Sequence, residues 1–498
     1  MENFSALVAE SRETFGSGKT LPLAFRKHQI GQIRKLLTEH EQEICDAVHK
    51  DLRKSAPTVF GTDISICFND IKMVLNELDN WARPTAVKTP LSNATDKAYI
   101  AHDPLGVVLI IAPWNFPVNL CFQPLVAAIA AGNCVILKPS ELSPNVSNVI
   151  GKLITEYMDS EVVKVVQGGV AETTALLKQR FDHIFYTGST PVGKVVMRAA
   201  AEHLTPVTLE LGGKSPAILV DAGVDVAIAA KRIAWAKWLN NGQVCVAPDY
   251  VLTTADLAPK VVEAVGKALA MFYPGGDIQK HPDYSRIVNE RHFDRLAKLL
   301  EKTKATRAIG GKRMDRDDLF IEPTVLTNVG LDDAVMEDEI FGPILPIVVV
   351  RDLAEAVEVV NAGEKPLALY VFSNDKAVVE RVTRSTSSGG VCVNDCILQI
   401  TIDTLPFGGV GHSGTGSYHG RFGFETFSHA KAVLERQFAG ENMLWVRYPP
   451  YDAAKTKWLR RLLPLGGIQT PDLLGLLCYL ALVAAGVVVG YCLQYLHF

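Results

Sequence analysis

The sequence is poor in cysteine, with nine in 498 residues and most of them far apart. That excludes a disulfide-stapled scaffold. Only Cys392 and Cys396 stand close, and a three-residue gap with no second pair does not make a zinc ribbon. None of the twelve histidines belongs to an HExxH motif, so no metal site is expected. There is no surplus of positive charge either. Lys+Arg total 50 against 54 Asp+Glu, a net charge of -4, which excludes a nucleic-acid partner that would need its phosphates neutralised. The amino terminus has no basic start followed by an apolar core, so no secretory leader is expected. No repeat of 20–50 residues stands out. What is present is 48% hydrophobic and 21% charged residues, the balance of a folded chain long enough for about three domains.

One long apolar run does occur. Leu473–Leu493 carries no charge over 21 residues, and as a helix it would span about 31 Å, the thickness of a hydrocarbon core. Lys455, Lys457, Arg460 and Arg461 lie just upstream, and the positive-inside rule would keep the long amino-terminal part in the cytosol. The expectation is a single-pass tail anchor with the lipid bilayer as partner. The endoplasmic reticulum membrane is its first location, with peroxisomal and outer mitochondrial membranes as alternatives. The segment Lys455–Leu463 reads either as an interfacial stretch or as a solvated linker.

Upstream, the first 80 residues have helical periodicity, with Ile30, Ile33, Leu36, Leu37 and Ile44 set among charges. Pro84 and Pro90 break it, and residues 85–102 read as extended. From residue 106 short β-branched runs alternate with helical stretches. Val107–Ile111, Cys134–Leu137, Val162–Val166, His183–Tyr186 and Pro206–Leu209 form a first set of strands. Ala217–Val220, Tyr250–Thr253, Thr324–Leu326, Ile344–Val350 and Leu369–Phe372 form a second. Nearly continuous apolar strands separated by helices predict parallel sheets covered on both faces, with ligands beyond the carboxyl ends of the strands.

Several motifs fall at those ends. Gly409–Gly414 matches GxGxxG, but no apolar strand leads into it and no helix pattern follows, so it reads as a decoy. Gly188, Ser189 and Gly193 sit where a strand turns into a helix, with Thr190 as its cap and Pro191 at its first position. Free amides there could take a pyrophosphate, although an ordinary βα turn is equally good on this segment alone. Lys138 and Glu141 end another strand and suit ribose hydroxyls; Glu141 would repel a 2′-phosphate. Glu210 ends an apolar strand, Asn115 lies in a loop held by two prolines, and Cys245 follows a polar glycine turn. Each has an ordinary structural reading, and an arbitrary cysteine is more often inert. Together they make a thiol, a carboxylate, an amide and a pyrophosphate-sized turn in one α/β chain.

PWNFP, KPSE, FYTGSTPVG, LELGGKS, GQVC, EIFGP and PFGGVG follow in order. In these motifs, over about residues 5–440, the chain resembles the aldehyde dehydrogenase superfamily. The short amino terminus, APDY after the cysteine, RYPP at 447–450 and the apolar tail resemble its class 3 branch and the membrane-anchored fatty aldehyde dehydrogenases. The resemblance implies an α/β fold with two Rossmann-type parallel-sheet domains, an oligomerisation arm and a C-terminal transmembrane helix. The divisions are 1–81 with 103–210 for NAD binding and 211–395 for catalysis. Residues 82–102 with 396–446 are the arm and C-terminal segment, 447–471 a basic membrane-proximal linker and 472–493 the anchor.

By the same resemblance Cys245 is the nucleophile, Asn115 an oxyanion donor and Glu210 the base that hydrolyses the thioester. Lys138 and Glu141 hold the adenosine ribose, and Gly188, Ser189 and Gly193 the pyrophosphate. Glu339 with Phe341 holds the nicotinamide ribose, and Trp114 lines the cleft. The implied cofactor is NAD, with NADP as the alternative. The implied activity is oxidation of medium- to long-chain aliphatic aldehydes to fatty acids by a homodimer. The alternatives are another substrate range, either acylating and coenzyme A-dependent or general aromatic and aliphatic, or a non-catalytic membrane tether.

Overall fold

The computed structural model describes residues 3–90, 93, 96–438 and 441–462. The chain divides into a larger unit, residues 1–81 with 104–428, and a smaller one, residues 82–103 with 429–498. The larger unit opens with helices Phe4–Gly16, Leu23–Glu39, Glu41–Leu52 and Ser65–Trp81. The second of these buries Ile30, Ile33, Leu36 and Leu37, the face that the spacing predicts. Before the helix at Ser65 the chain makes a π-helical turn, Phe60–Ile64, which buries Asp63.

Two sheets follow in the same unit. The first has six strands, in the order Gly414–Thr415, Val207–Glu210, His183–Thr187, Val107–Ile111, Cys134–Lys138, Val163–Val165. Its neighbours are parallel except for the first pair. Val107–Ile111, Cys134–Lys138 and His183–Thr187 are buried along their whole length and largely apolar on both faces, with Lys138, His183 and Thr187 the polar exceptions. Register brings the strand ends together, with Ile111 beside both Lys138 and Tyr186, and Thr187 beside Glu210.

The second sheet has seven strands: Thr306–Ile309, Thr324–Thr327, Ile344–Val349, Tyr250–Thr253, Pro216–Leu219, Ala368–Val371, Gly390–Val393. All are parallel but the first. The two parallel sheets of the expected α/β fold are therefore present. In the smaller unit, Thr85–Ala86, Lys97–Pro104 and Ser428–Glu435 form a three-stranded sheet. There the Tyr99 hydroxyl donates to Glu435 at 2.9 Å and Lys431 pairs with Asp103 at 2.6 Å.

The structure corrects other expectations. Among the described residues no helix is long and apolar enough to cross a membrane. The described tail ends in Ala453–Leu462, a ten-residue helix carrying Lys455, Lys457, Arg460 and Arg461, too short and too charged to span. The run Leu473–Leu493 lies outside the described residues. The transmembrane helix, the tail anchor, the bilayer partner, the endoplasmic reticulum location and the kinship with a membrane-anchored form are withdrawn together, since all needed a membrane-spanning helix and none occurs among the described residues. Ser189, not Thr190, occupies the cap position, because Thr190 is already helical. The glycine run at 409–414 ends in Gly414–Thr415, an edge strand on Val207–Glu210.

Buried histidines make this fold sensitive to acid. His183, with Nε2 3.0 Å from the Thr208 hydroxyl, and His419 are both enclosed, and burial pushes each down to about 4. A folded pKa below the unfolded value of about 6.5 means stability that is present above pH 6.5 and lost as pH falls toward 4. The expected loss is about 2 kcal/mol per histidine between pH 8 and pH 5. Urea unfolding midpoints measured across that range check it, and His183→Gln should flatten the dependence.

Candidate active site

Helix Val226–Trp238 ends in a tight turn, Leu239–Gly242, whose last three residues are all left-handed: Asn240 φ 47°, Asn241 φ 57° and Gly242 φ 75°. Asparagine tolerates this conformation because its amide bonds locally. Here Asn240 Nδ2 donates to the carbonyls of Asn115 at 2.8 Å and Gln243 at 3.2 Å, and Asn241 Nδ2 to Ser285 at 3.1 Å. At Gly242 a Cβ would strike the Gly342 carbonyl, so only glycine fits. Gln243 completes the brace: its amide donates to Arg286 O at 2.9 Å and accepts from Val288 N–H at 3.0 Å. Cys245 follows directly, half-buried, with its sulfur accepting from the N–H groups of Cys245 and Val246.

Asn115 reaches this turn from the first sheet, in the loop after Val107–Ile111. It is buried, and its Nδ2 donates to Gln243 O at 3.1 Å. Its neighbour Trp114 meets Phe341 edge-on at 5.4 Å and His292 at 5.3 Å. Phe341 is itself left-handed at φ 47°, a strained conformation for an aromatic residue. Glu339, two residues earlier, lies so close to Gly212 that a Cβ there would collide with its carboxylate. Burial, with Asp249 adding to it, raises Glu339 to about 8 against the opposing Gly213 amide, Lys214 and Arg295.

Glu210 closes the group. It is buried at the end of its strand, and neither carboxylate oxygen has a hydrogen-bond partner in the protein. Desolvation alone pushes it well above the usual carboxylate range. Cys245 is raised to about 12, by burial first and then by the charges of Glu339 and Glu210, which places both acids within electrostatic reach of the thiol. A buried carboxylate without partners marks where a polar ligand or water is accommodated.

The remaining predicted residues gather at the neighbouring strand ends. Lys138 is buried, and its Nζ donates to Glu141 at 2.8 Å and to Pro139 O at 3.0 Å. Ser189 caps helix Thr190–Ala201 by position, but its hydroxyl makes no capping bond. A Cβ on Gly188 would run into the Tyr186 hydroxyl, and one on Gly193 would press on Leu211 at 2.8 Å. An open helix start, a glycine-lined approach and an adjoining Lys–Glu pair suit a dinucleotide: amides and Ser189 toward phosphates, Lys138 and Glu141 toward ribose hydroxyls. Glu339 and Phe341, by contrast, stand with Cys245.

Several residues of the site carried no functional expectation. Asn240 and Gln243 flank the thiol, and the Asn-Asn-Gly turn signal before it could have singled them out. Tyr418 feels the charges of both Glu210 and Cys245 and packs edge-on against Phe185 at 5.1 Å. Lys237 is fully buried without a hydrogen-bond partner, 4.0 Å from Asp249, and burial lowers it to about 8. Lysines in charged helical sequence ordinarily read as surface.

The thiol's surroundings set its reactivity. Alkylation of Cys245 by iodoacetamide without dinucleotide, followed on peptide 240–250, should keep rising through pH 10 instead of levelling near 8.5. Glu339→Gln removes a negative charge beside the sulfur and should move the profile to lower pH. A shift in the opposite direction would contradict this electrostatic account.

Comparison with known proteins gives this arrangement its family. The aldehyde dehydrogenase family model matches residues 1–433. The Mus musculus protein named aldehyde dehydrogenase, dimeric NADP-preferring, is 48% identical over 453 residues, covering 91% of this chain and 99% of its own. Aldehyde dehydrogenase family 3 member A2 of Mus musculus is 46% identical over 482 residues, covering 97% and 98%. The structure of Staphylococcus aureus AldH in its substrate-bound state superposes with a TM-score of 0.89 at 42% identity, covering 93% of this chain and all of that one. With its two parallel sheets and the thiol turn braced between them, the chain belongs to the aldehyde dehydrogenase family, in its class 3 branch.

Proposed function

We propose that this chain oxidises aldehydes to carboxylic acids with NAD or NADP, across a general aliphatic and aromatic range. The long-chain preference expected at first drew on an anchor beside lipid, and without that argument nothing in the site singles out long chains. The observation that carries the reading is Glu210: a buried carboxylate with both oxygens unpartnered, within electrostatic reach of a thiol on a rigid turn.

The steps follow from the side chains. The Cys245 thiol loses its proton to water, and the thiolate so formed attacks the aldehyde carbonyl carbon to give a thiohemiacetal with its oxygen as the oxyanion. The Asn115 amide and the Cys245 N–H hold the oxyanion, each such donor being worth about 10²–10³ in rate. A bound nicotinamide dinucleotide supplies the acceptor for the two electrons and the hydrogen that the thiohemiacetal gives up. Glu210 takes a proton from water as that water attacks the resulting thioester, which releases the acid and the thiol. Burial raises its pKa above the ordinary carboxylate range, which makes the ionised form a stronger base. Glu339 and Phe341 would hold the nicotinamide ribose, and Trp114 would wall the cleft. The first sheet, with residues 1–81 and 103–210, is the dinucleotide side, and residues 211–395 are the catalytic side.

Glu141 disfavours the 2′-phosphate of NADP while Lys138 beside it favours it, so both cofactors are expected to work. Homodimer formation is proposed through the strands of the smaller unit. Ser428–Glu435 is mostly exposed there, and a relative carries the word dimeric in its name.

Three measurements test the reading. Cys245→Ser should abolish reduction of dinucleotide with hexanal and with benzaldehyde. Glu210→Gln should give a burst of about one reduced dinucleotide per site and then a rate lower by about 10²–10⁴, with an acyl adduct on peptide 240–250. A requirement for added coenzyme A would favour the acylating alternative instead. Glu141→Gln should raise the efficiency with NADP relative to NAD.

A further inference from the structure

Lys54 and Asp63 form an ion pair in which neither side chain has any exposure, with Nζ 3.3 Å from Asp63 Oδ2. Such a pair is poor value for stability alone, because desolvation offsets most of its attraction. Its other contacts supply a reason. The Lys54 ammonium donates to the Asn115 carbonyl at 2.9 Å and lies 3.8 Å from the centre of the Phe116 ring. Asp63 sits in the π-helical turn Phe60–Ile64, a distortion that recurs at functional positions. It also accepts from the Thr62 hydroxyl at 3.2 Å and from the Asn119 N–H at 3.4 Å. The pair thus grips the middle and the carboxyl end of the Asn115 loop.

The Asn115 carbonyl has two donors. Asn240 Nδ2, at 2.8 Å, ties it to the Cys245 turn, and Lys54 ties it to the amino-terminal helical layer. Without Lys54, Asn240 would be the one donor on the peptide carbonyl, and only the bond from Asn115 Nδ2 to Gln243 O would restrain the amide as the peptide pivoted. We propose that Lys54, paired with Asp63, is a positioning residue that locks the Asn115–Phe116 peptide, so that the Asn115 amide stays in place for the oxyanion formed at Cys245. The proposal rests on the reading of Asn115 as an oxyanion donor. Displacing such a group by about 1 Å can cost about a hundredfold in rate.

The test uses the full chain and the single-turnover rate of NADH formation with saturating hexanal. Lys54→Met combined with Asp63→Asn removes both charges together, leaving no unpaired ion in the core. The rate should fall roughly 10- to 100-fold, with little change in the hexanal concentration giving half-maximal rate or in NADH affinity. Adding the pair to Asn115→Ala should cause no further fall, because Lys54 acts through Asn115. An additive loss, or an unchanged rate in folded protein, would overturn the proposal. Lys54→Gln, whose shorter amide cannot reproduce the ammonium contacts, is read the same way should the double variant not fold. If Asn115→Ala itself leaves the rate unchanged, it is the oxyanion reading that fails, and the positioning role fails with it.

Discussion

A single bridge, from the Asn115 amide to the Gln243 carbonyl at 3.1 Å, holds the site together. Asn115 follows a strand of the first sheet, and Gln243 precedes a strand of the second. With Phe116 of the same loop packed in the second sheet's core, the bridge fixes the thiol turn relative to the loop. Asn240 doubles it by bonding to the Asn115 carbonyl. Buried hydrogen bonds of this kind resist displacement, because breaking one leaves polar atoms with neither partner nor water.

On that frame the chemistry is built from groups whose charged forms are disfavoured. Glu210, Glu339 and Cys245 all titrate above their ordinary ranges, chiefly through burial, and the negative charges of the two acids further disfavour the thiolate. A fold selected only for stability would hydrogen-bond those carboxylate oxygens or replace them with apolar groups. Keeping Glu210 without protein partners costs stability, the kind of local conflict expected where function outweighs packing.

The elements most legible in the sequence were those with one dominant cause. Val107–Ile111 and Tyr250–Thr253 are β-branched or aromatic for most of their length and buried throughout, as suits a buried strand. The motif residues at strand ends were visible because glycine and proline punctuate those ends. Less visible was whatever depends on partners distant in sequence. Thr306–Ile309 is mostly exposed and polar, so its place at a sheet edge comes from pairing with Thr324–Thr327. Lys54 stands in a charged stretch that looks like surface, and only the fold encloses it. The apolar run at Leu473–Leu493 lies outside the described residues, and hydropathy alone measures its length against a bilayer.

The edge strand Gly414–Thr415 joins Val207–Glu210 from roughly two hundred residues further along the chain. At a ribosomal pace of about 5–20 residues per second, that separation is on the order of 10–40 s. During that interval the nascent first sheet would present an unpaired edge at Leu209, the kind of edge that other chains can extend. Chaperone occupancy at this stage of synthesis would therefore bear on how much of the chain escapes aggregation.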